Sequence, residues 1–429
     1  MTRAIAFFLV GLLLYSCASV PRSMIKGHLS AMEQSFQDFT GFVLYDPVKK
    51  RVLFEHNASR YFTPASNTKI FTLFAALNLL GDSIPALRYA ILGDSLIITG
   101  TGDPSFLYEP VCESKVYTFL SRNPNDLYYT ERNWSTAPFG PGWSWEDYDF
   151  YYSPMRSPFP IYGNTFRAVY LNGKLKTRPA HFEKFIVFSN DTAESSTLVR
   201  SPYSNETRFT PGRNDRIRDW TKPFITDASM VAQLLSDTLH RKVTVIDNPP
   251  VSVWQTLYSV PADSLYRVMM QDSDNFIAEQ LLLLCAGVLR DTLNPEIAIS
   301  YVRDELLGDL PDEPLWNDGS GLSRYNLVTP RSVVMLWEKL LRSVERQRLF
   351  SLLATGGVSG TLKRYYVGEK PYIYGKTGTL SHVHCLSGYI VTRKGKTLIF
   401  SLMNTNYSVP TRQVRESMER LLEMIRDRY

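Results

Sequence analysis

Cysteine and histidine are scarce, with 4 Cys and 6 His in 429 residues. Their spacings fit no metal or redox pattern and no HExxH occurs, which sets metal catalysis aside. No run of five or more basic residues occurs either. Lys+Arg 47 against Asp+Glu 42 leaves a formal net charge of only +5, so the concentrated basic face of a nucleic-acid binder is missing. Gly100-Thr101-Gly102 is not followed by a GK[ST] and has no βαβ context, which excludes a phosphate loop. No solenoid or propeller period is found. What remains is an ordinary globular composition, 44% hydrophobic and 21% charged, in a chain too long for one common domain.

Long apolar runs are also rare, and the one that matters is N-terminal. Met1–Ser16 carries Arg3 and then an almost wholly apolar stretch, short for a membrane span and suited to an export signal. Leu14-Tyr15-Ser16-Cys17 is similar to a bacterial lipoprotein cleavage box, so a lipid anchor is expected at Cys17 and an exported, periplasmic body behind it. Three cysteines remain. Cys285 follows four leucines and reads as a buried small apolar residue, while a disulfide between two of Cys112, Cys285 and Cys385 stays open.

Along the chain, 41–46 and 51–54 read as a hairpin around Pro47–Lys50, and Asn67–Leu80 as a buried helix stopping at Gly81. Between 88 and 225 the pattern turns to short alternating runs, such as 95–98 and 185–188, which predicts a β-rich insertion. The aromatic cluster Trp134 to Tyr152 is expected to form its core. From Thr226 helical periodicity returns, with Met230, Val231, Leu234 and Leu235 on one face. At the end, 385–391 and 397–403 form a hairpin, and Val414, Met418, Leu421, Leu422 and Ile425 form a stripe that would cover a sheet face. The expected organisation is therefore α+β: a signal at 1–16, outer parts at 17–87 and 226–429, and an inserted domain at 88–225.

Three short patterns stand in order: Ser66-Asn67-Thr68-Lys69, Ser273-Asp274-Asn275 and Lys376-Thr377-Gly378-Thr379. Singly they are weak, since Ser23–Lys26 and Ser121–Asn123 match two of them as well. Context separates them, because Ser66 opens an apolar helix and Lys376 lies on an edge-strand pattern before the final hairpin. A Ser and a Lys one helical turn apart share a face. The Ser can act as nucleophile, and the Lys as its base if burial and a second cation, Lys376, depress its pKa. Ser273 can pass a proton to a leaving amine, and Asn275 can orient Lys69 and a substrate amide. Lys376, Thr377 and Thr379 suit a terminal carboxylate. Backbone N–H groups of Ser66 and Thr379 can form an oxyanion hole.

This set resembles the penicillin-binding-protein and serine β-lactamase superfamily, with its SxxK, SDN and KTG motifs. Ser66 and Ser273 are 207 positions apart, and Ser273 and Lys376 are 103 apart. The long first gap resembles the D-Ala-D-Ala carboxypeptidases of the S13 peptidase type. Gly102–Ser105, Gly140–Asp147, Ser273–Glu279 and Asp318–Arg324 are similar to further segments of that family. The resemblance implies a transpeptidase-like domain, an antiparallel sheet with helices on its faces plus an all-α part, interrupted by the insertion. It implies an acyl-enzyme on Ser66 and the base Lys69. Ser273 and Asn275 would form the second catalytic motif, and Lys376, Thr377, Gly378 and Thr379 a carboxylate-binding strand. It also implies contacts of Asp147 and Arg324 to the substrate's side chain. The expected substrate is the peptidoglycan stem peptide, cleaved as a carboxypeptidase with endopeptidase cleavage of cross-links as an additional activity, with β-lactams as covalent inhibitors and neither cofactor nor metal. The rivals are a β-lactamase or esterase on the same scaffold, and a non-catalytic cell-wall-binding lipoprotein.

Overall fold

The computed structural model describes residues 22–111, 115–213 and 215–429. The expected signal at Met1–Ser16, the anchor Cys17 and Cys112 lie outside these residues. The described residues open with α1 (Arg22–Phe36), whose Ile25, Leu29, Met32 and Phe36 recur at helical spacing and are buried. Strands β1 (Phe39–Asp46) and β2 (Arg51–His56) follow as an antiparallel hairpin. The Asp46 carboxylate accepts from the backbone N–H of Val48 and Lys49 and shapes its turn. A 3-10 turn at Ala65–Thr68 then runs into α2 (Lys69–Leu79).

The inserted unit starts with β3 (Ser83–Leu92), β4 (Ser95–Gly100), α3 (Lys115–Arg122) and β5 (Asp126–Thr130). After a long irregular segment come β6 (Thr165–Leu171), β7 (Lys174–Arg178), β8 (Ile186–Phe188), β9 (Thr197–Arg200), β10 (Thr207–Thr210) and β11 (Ile217–Pro223). It ends with α4 (Ala228–Leu239), β12 (Val243–Val245) and β13 (Gln255–Pro261). Its sheets have the orders β12-β5-β4-β3-β13, β11-β6-β7 and β8-β10-β9. They share one core, in which Leu96, Ile98, Phe166, Leu198 and Phe209 meet Val231, Leu234 and Leu235 of α4.

The expected insertion bounds, 88 and 225, are therefore too narrow at both ends. The unit opens at Ser83, and α4, assigned from sequence to the second outer part, packs inside it. An apolar stripe tells that a helix is buried but not against which sheet. The aromatic cluster does not form the insertion's core. None of its members between Trp134 and Tyr152 is buried, and Trp145 is 76% exposed and Tyr151 66%. Trp143 and Tyr152 reach the outer part at Asp318 and Asn275 while Tyr148 packs on Arg200 of the insertion, and the insertion's core draws instead on Phe166, Phe182, Phe209 and Phe224.

The outer part resumes with α5 (Ala262–Gln271), α6 (Asn275–Arg290), α7 (Pro295–Tyr301), α8 (Pro330–Ser343) and α9 (Arg346–Leu352). It closes with β14 (Ala354–Thr355), β15 (Ile373–Leu380), β16 (Val383–Val391), β17 (Thr397–Thr405) and α10 (Thr411–Arg428). The six-stranded sheet runs β14-β15-β16-β17-β1-β2, antiparallel at every step. Its strands alternate strictly. Phe42, Leu44, Leu386, Phe400 and Leu402 face α1 and α10, while Val43, Tyr45, Cys385, Tyr389 and Met403 face the layer of α2, α5, α6 and α8. The α10 stripe is fully buried. At about 1.5–3 kcal/mol per side chain, it supplies roughly 10 kcal/mol of gross burial to one sheet face. Cys285 and Cys385 are buried free thiols. No helix among the described residues is long and apolar enough to cross a membrane.

Candidate active site

Ser66 sits in the 3-10 turn that opens α2, wedged between a loop and a strand. Both contacts depend on missing side chains. A Cβ on Gly321, which has φ +84°, would lie 1.9 Å from the Ala65 carbonyl oxygen, and one on Gly378 would lie 2.9 Å from the Ser66 nitrogen. Asn67 locks the turn onto β15 and β16. Its side-chain amide donates to the Lys376 carbonyl at 3.1 Å, and its oxygen accepts from the Ser387 hydroxyl at 2.5 Å. Ser387 in turn accepts from the Trp337 indole at 2.9 Å.

One turn on, the Lys69 Nζ is fully buried. It donates to Ser66 Oγ at 3.0 Å, to Asn275 Oδ1 at 2.6 Å and to the Ser320 carbonyl at 2.6 Å. Burial pulls its pKa down to about 8, although the negative charges of Asp318, Asp274 and Glu279 pull the other way. Across the cleft, Lys376 on β15 is equally buried. Its Nζ donates to Ser273 Oγ at 2.8 Å and to the Thr377 carbonyl at 2.8 Å. Burial, and then the positive charge of Lys69, push its pKa well below the ordinary lysine value. Because the Ser273 oxygen accepts from Lys376, its own proton is free to point into the cleft.

Ser273 has φ +64°, a conformation that costs a non-glycine residue about 1 kcal/mol. The next residue holds it there. Asp274 caps α6 by accepting from the Ile277 N–H at 2.8 Å, and it also accepts from the Tyr108 hydroxyl at 2.5 Å. Burial raises the Asp274 pKa. Asn275 donates its amide to the Tyr152 carbonyl at 2.9 Å, which fixes the oxygen toward Lys69.

Behind this layer lie two buried carboxylates. Asp318 accepts from the N–H groups of Gly321 and Ser323, the Asn326 amide and the Trp143 indole, all within 2.9 Å. The loop is thus wound round one carboxylate, and this aims the Ser320 carbonyl at Lys69. Glu279 accepts from the Ser320 N–H at 2.7 Å and pairs with Arg156 at 3.4 Å. Burial, with Asp318 adding to it, lifts the Glu279 pKa to about 7 against the opposing pull of Arg156. Tyr108, Trp143, Tyr152 and Arg156 all come from the insertion, so that unit braces the site.

The three motifs are therefore brought together. Asp147 joins them only at second hand, since its Oδ1 accepts from the Tyr152 hydroxyl at 2.9 Å. The Arg324 side chain is exposed and lines neither of the two cavities that meet at Ser273. One of these, about 300 Å³, is bounded by Ser66, Ser273, Thr361, Thr377, Thr379 and Arg415. The other, about 620 Å³, extends from Asn275 past Tyr108, Tyr151, Tyr152 and Tyr162. Sequence reasoning missed several of these groups. Asn67 stands inside a motif read only for its ends. Glu279 and Asp318 stand in segments noted for resemblance without a role. His384, whose place in the alternating strand gave no role, is buried beside Thr379, its Nδ1 2.8 Å from the Thr379 hydroxyl. Burial, with the nearby Arg415 charge, lowers its pKa to about 3, so it is neutral. Among the described residues no cluster of three or more His, Cys, Asp or Glu side chains is arranged for a metal ion.

A serine bonded to a lysine one turn away, with a second serine–lysine pair facing it across an antiparallel sheet edge, is the layout of the serine transpeptidase-like fold. The model of the D-Ala-D-Ala carboxypeptidase 3 (S13) family matches residues 25–215 and 227–425, and the chain belongs to that family. It is 24% identical to the D-alanyl-D-alanine carboxypeptidase DacB of Haemophilus influenzae over 435 residues, 91% of this chain and 90% of the relative. The crystal structure of penicillin binding protein 4 (dacB) from the same organism superposes with TM-score 0.73 at 21% identity, covering 92% of this chain and 97% of that one. A predatory endopeptidase from Bdellovibrio bacteriovorus, solved with an immunity protein, gives TM-score 0.54 at 14% identity, covering 90% and 93%. Both structural likenesses are likenesses of fold.

Proposed function

We propose that the protein is a serine D-alanyl-D-alanine carboxypeptidase acting on peptidoglycan stem peptides. The observation that carries this reading is the 3.0 Å contact between Ser66 Oγ and a fully buried Lys69. In its free-base form Lys69 takes the Ser66 proton as Oγ attacks the carbonyl of the D-Ala-D-Ala bond. The oxyanion is received by the backbone N–H groups of Ser66 and Thr379, which the close pass of β15 over the turn supports. Collapse breaks the C–N bond. The Ser273 hydroxyl gives its proton to the departing D-alanine nitrogen and is reprotonated from the lysine pair. Water, deprotonated by Lys69, then attacks the ester, freeing Ser66 and the shortened peptide. Thr377 and Thr379 receive the terminal carboxylate, and the larger, tyrosine-lined cavity takes the acyl side. Asp147 and Arg324 are assigned to the stem-peptide side chain, Asp147 acting through Tyr152.

A β-lactam presents a strained amide to the same serine and should acylate it; the Haemophilus neighbour has also been solved with one bound. Endopeptidase cleavage of cross-links is a second reading, favoured by a cleft that stays open on both sides of Ser273. The Met1–Ser16 segment and Cys17 support export to the periplasm and a lipid anchor; Cys17→Ser should release the protein from membranes. The test of the main reading is D-alanine release from a pentapeptide. Release that disappears in Ser66→Ala supports it, whereas fast β-lactam or ester turnover with no D-alanine would point to the rival enzymes.

A further inference from the structure

The smaller cavity has a feature that the three motifs leave unexplained. Among its lining residues Arg415, on α10, is the one guanidinium. Lys376 is occupied by Ser273 and by the Thr377 carbonyl, and His384 is neutral. Arg415 has no carboxylate within 4.0 Å among the described residues. The acids one position and one turn along its helix are engaged elsewhere: Glu416 holds Arg412, and Glu419 accepts from the Tyr366 N–H. Its own contacts are long. Nη2 lies 3.4 Å from Thr379 Oγ1 and Nη1 3.5 Å from the Tyr365 hydroxyl, and Nε has no partner. The guanidinium stands 5.5 Å from the centre of the Tyr365 ring. A guanidinium has five donors in a planar fork that matches a carboxylate. Here it is half-buried, held at the cavity wall beside Thr379, and left without an anion.

We propose that Arg415 is a specificity-determining residue that binds the leaving-group carboxylate jointly with the hydroxyls of Thr377 and Thr379. The proposal rests on the carboxypeptidase reading and deepens it. The strand supplies neutral donors, and the fixed charge comes from the C-terminal helix. The ligand is an α-carboxylate on the residue after the scissile bond, and a carboxamide at that place loses the ionic partner. The His384 imidazole holds the Thr379 hydroxyl from behind, so Thr379 stays in place when Arg415 turns from it to the substrate.

The test compares one acyl-D-Ala-D-Ala peptide as free acid and as C-terminal amide, in the wild type and in Arg415→Ala, Arg415→Gln and Arg415→Lys. A lost charge-assisted hydrogen bond is worth about 10- to 100-fold. The wild type should therefore prefer the acid in kcat/KM, and Arg415→Ala and Arg415→Gln should lose about 10- to 100-fold on the acid. They should change little on the amide, so that the preference collapses. Arg415→Lys should keep part of it, and added guanidinium should restore part of it to Arg415→Ala. Because the ratio is taken within each variant, a fraction of unfolded protein cancels. An acid-to-amide ratio unchanged in Arg415→Ala overturns the assignment and leaves the carboxypeptidase reading standing. A folded wild type that cleaves neither peptide and takes no penicillin overturns that reading, and the Arg415 assignment with it.

Discussion

If Lys69 is the base that activates Ser66, the acylation rate follows its free-base fraction, and this can be worked out from the site. Burial brings its pKa down to about 8. The free-base fraction is then about a hundredth at pH 6, about a tenth at pH 7, and nearly complete above pH 9. The second-order rate constant for acylation by a chromogenic penicillin should rise close to tenfold per unit below pH 7. It should bend near pH 8 and level off, for a total gain of roughly 90-fold between pH 6 and 9. Stopped-flow absorbance, or quenched intact-mass measurements, across that range would give the profile. The same shift has a sign in stability. The unfolded chain binds more protons than the folded one between about pH 8 and the ordinary lysine value. The buried ammonium thus costs about 3 kcal/mol at neutral pH, and this cost is relieved as pH climbs through that window. A flat acylation profile, or a rising limb centred near pH 10, would refute the role given to burial.

Gly321→Ala would drive a Cβ into the Ala65 carbonyl at a left-handed backbone position. The Ser66 turn must shift, and acylation should fall at least tenfold in a protein still folded by circular dichroism. Arg156→Met strands the Glu279 carboxylate and should destabilise the fold by about 3–5 kcal/mol in urea at pH 8. The folded Glu279 pKa, already near 7, lies above its unfolded value. Protonation therefore relieves the stranded carboxylate, and the loss should be smaller at pH 5 than at pH 8. Asn67→Ala removes both side-chain bonds that tie the turn to the sheet, one to β15 and one to β16; a loss of about 2 kcal/mol, with slower acylation, is expected from denaturant melts and penicillin kinetics.

The nucleophile, its partner and the strand motif could be read from the sequence because each is a local pattern tied to an element type. SxxK needs only the start of a helix, and KTG only a strand, though the two-residue β14 and not β15 forms the outermost strand of the sheet. The final hairpin and the α10 stripe were legible for the same reason. Residues that support the site from a distance were not. Arg415 lies between Val414 and Met418 on a helix whose only visible signal is its apolar face. His384 alternates like any strand residue, and its burial depends on α10 lying behind it. The insertion's limits escaped because α4 and β13 carry ordinary periodicity and only the sheet order β12-β5-β4-β3-β13 gives them their partners. The aromatic loop escaped because composition does not distinguish a core from a partly exposed brace over α6.

The most direct test of the central claim is the intact mass of the folded protein before and after benzylpenicillin, followed by peptide mapping. One penicilloyl adduct per chain is expected, on the peptide carrying Ser66 and absent from Ser66→Ala. Folded wild-type protein that takes no adduct, or an adduct that persists in Ser66→Ala, would contradict it.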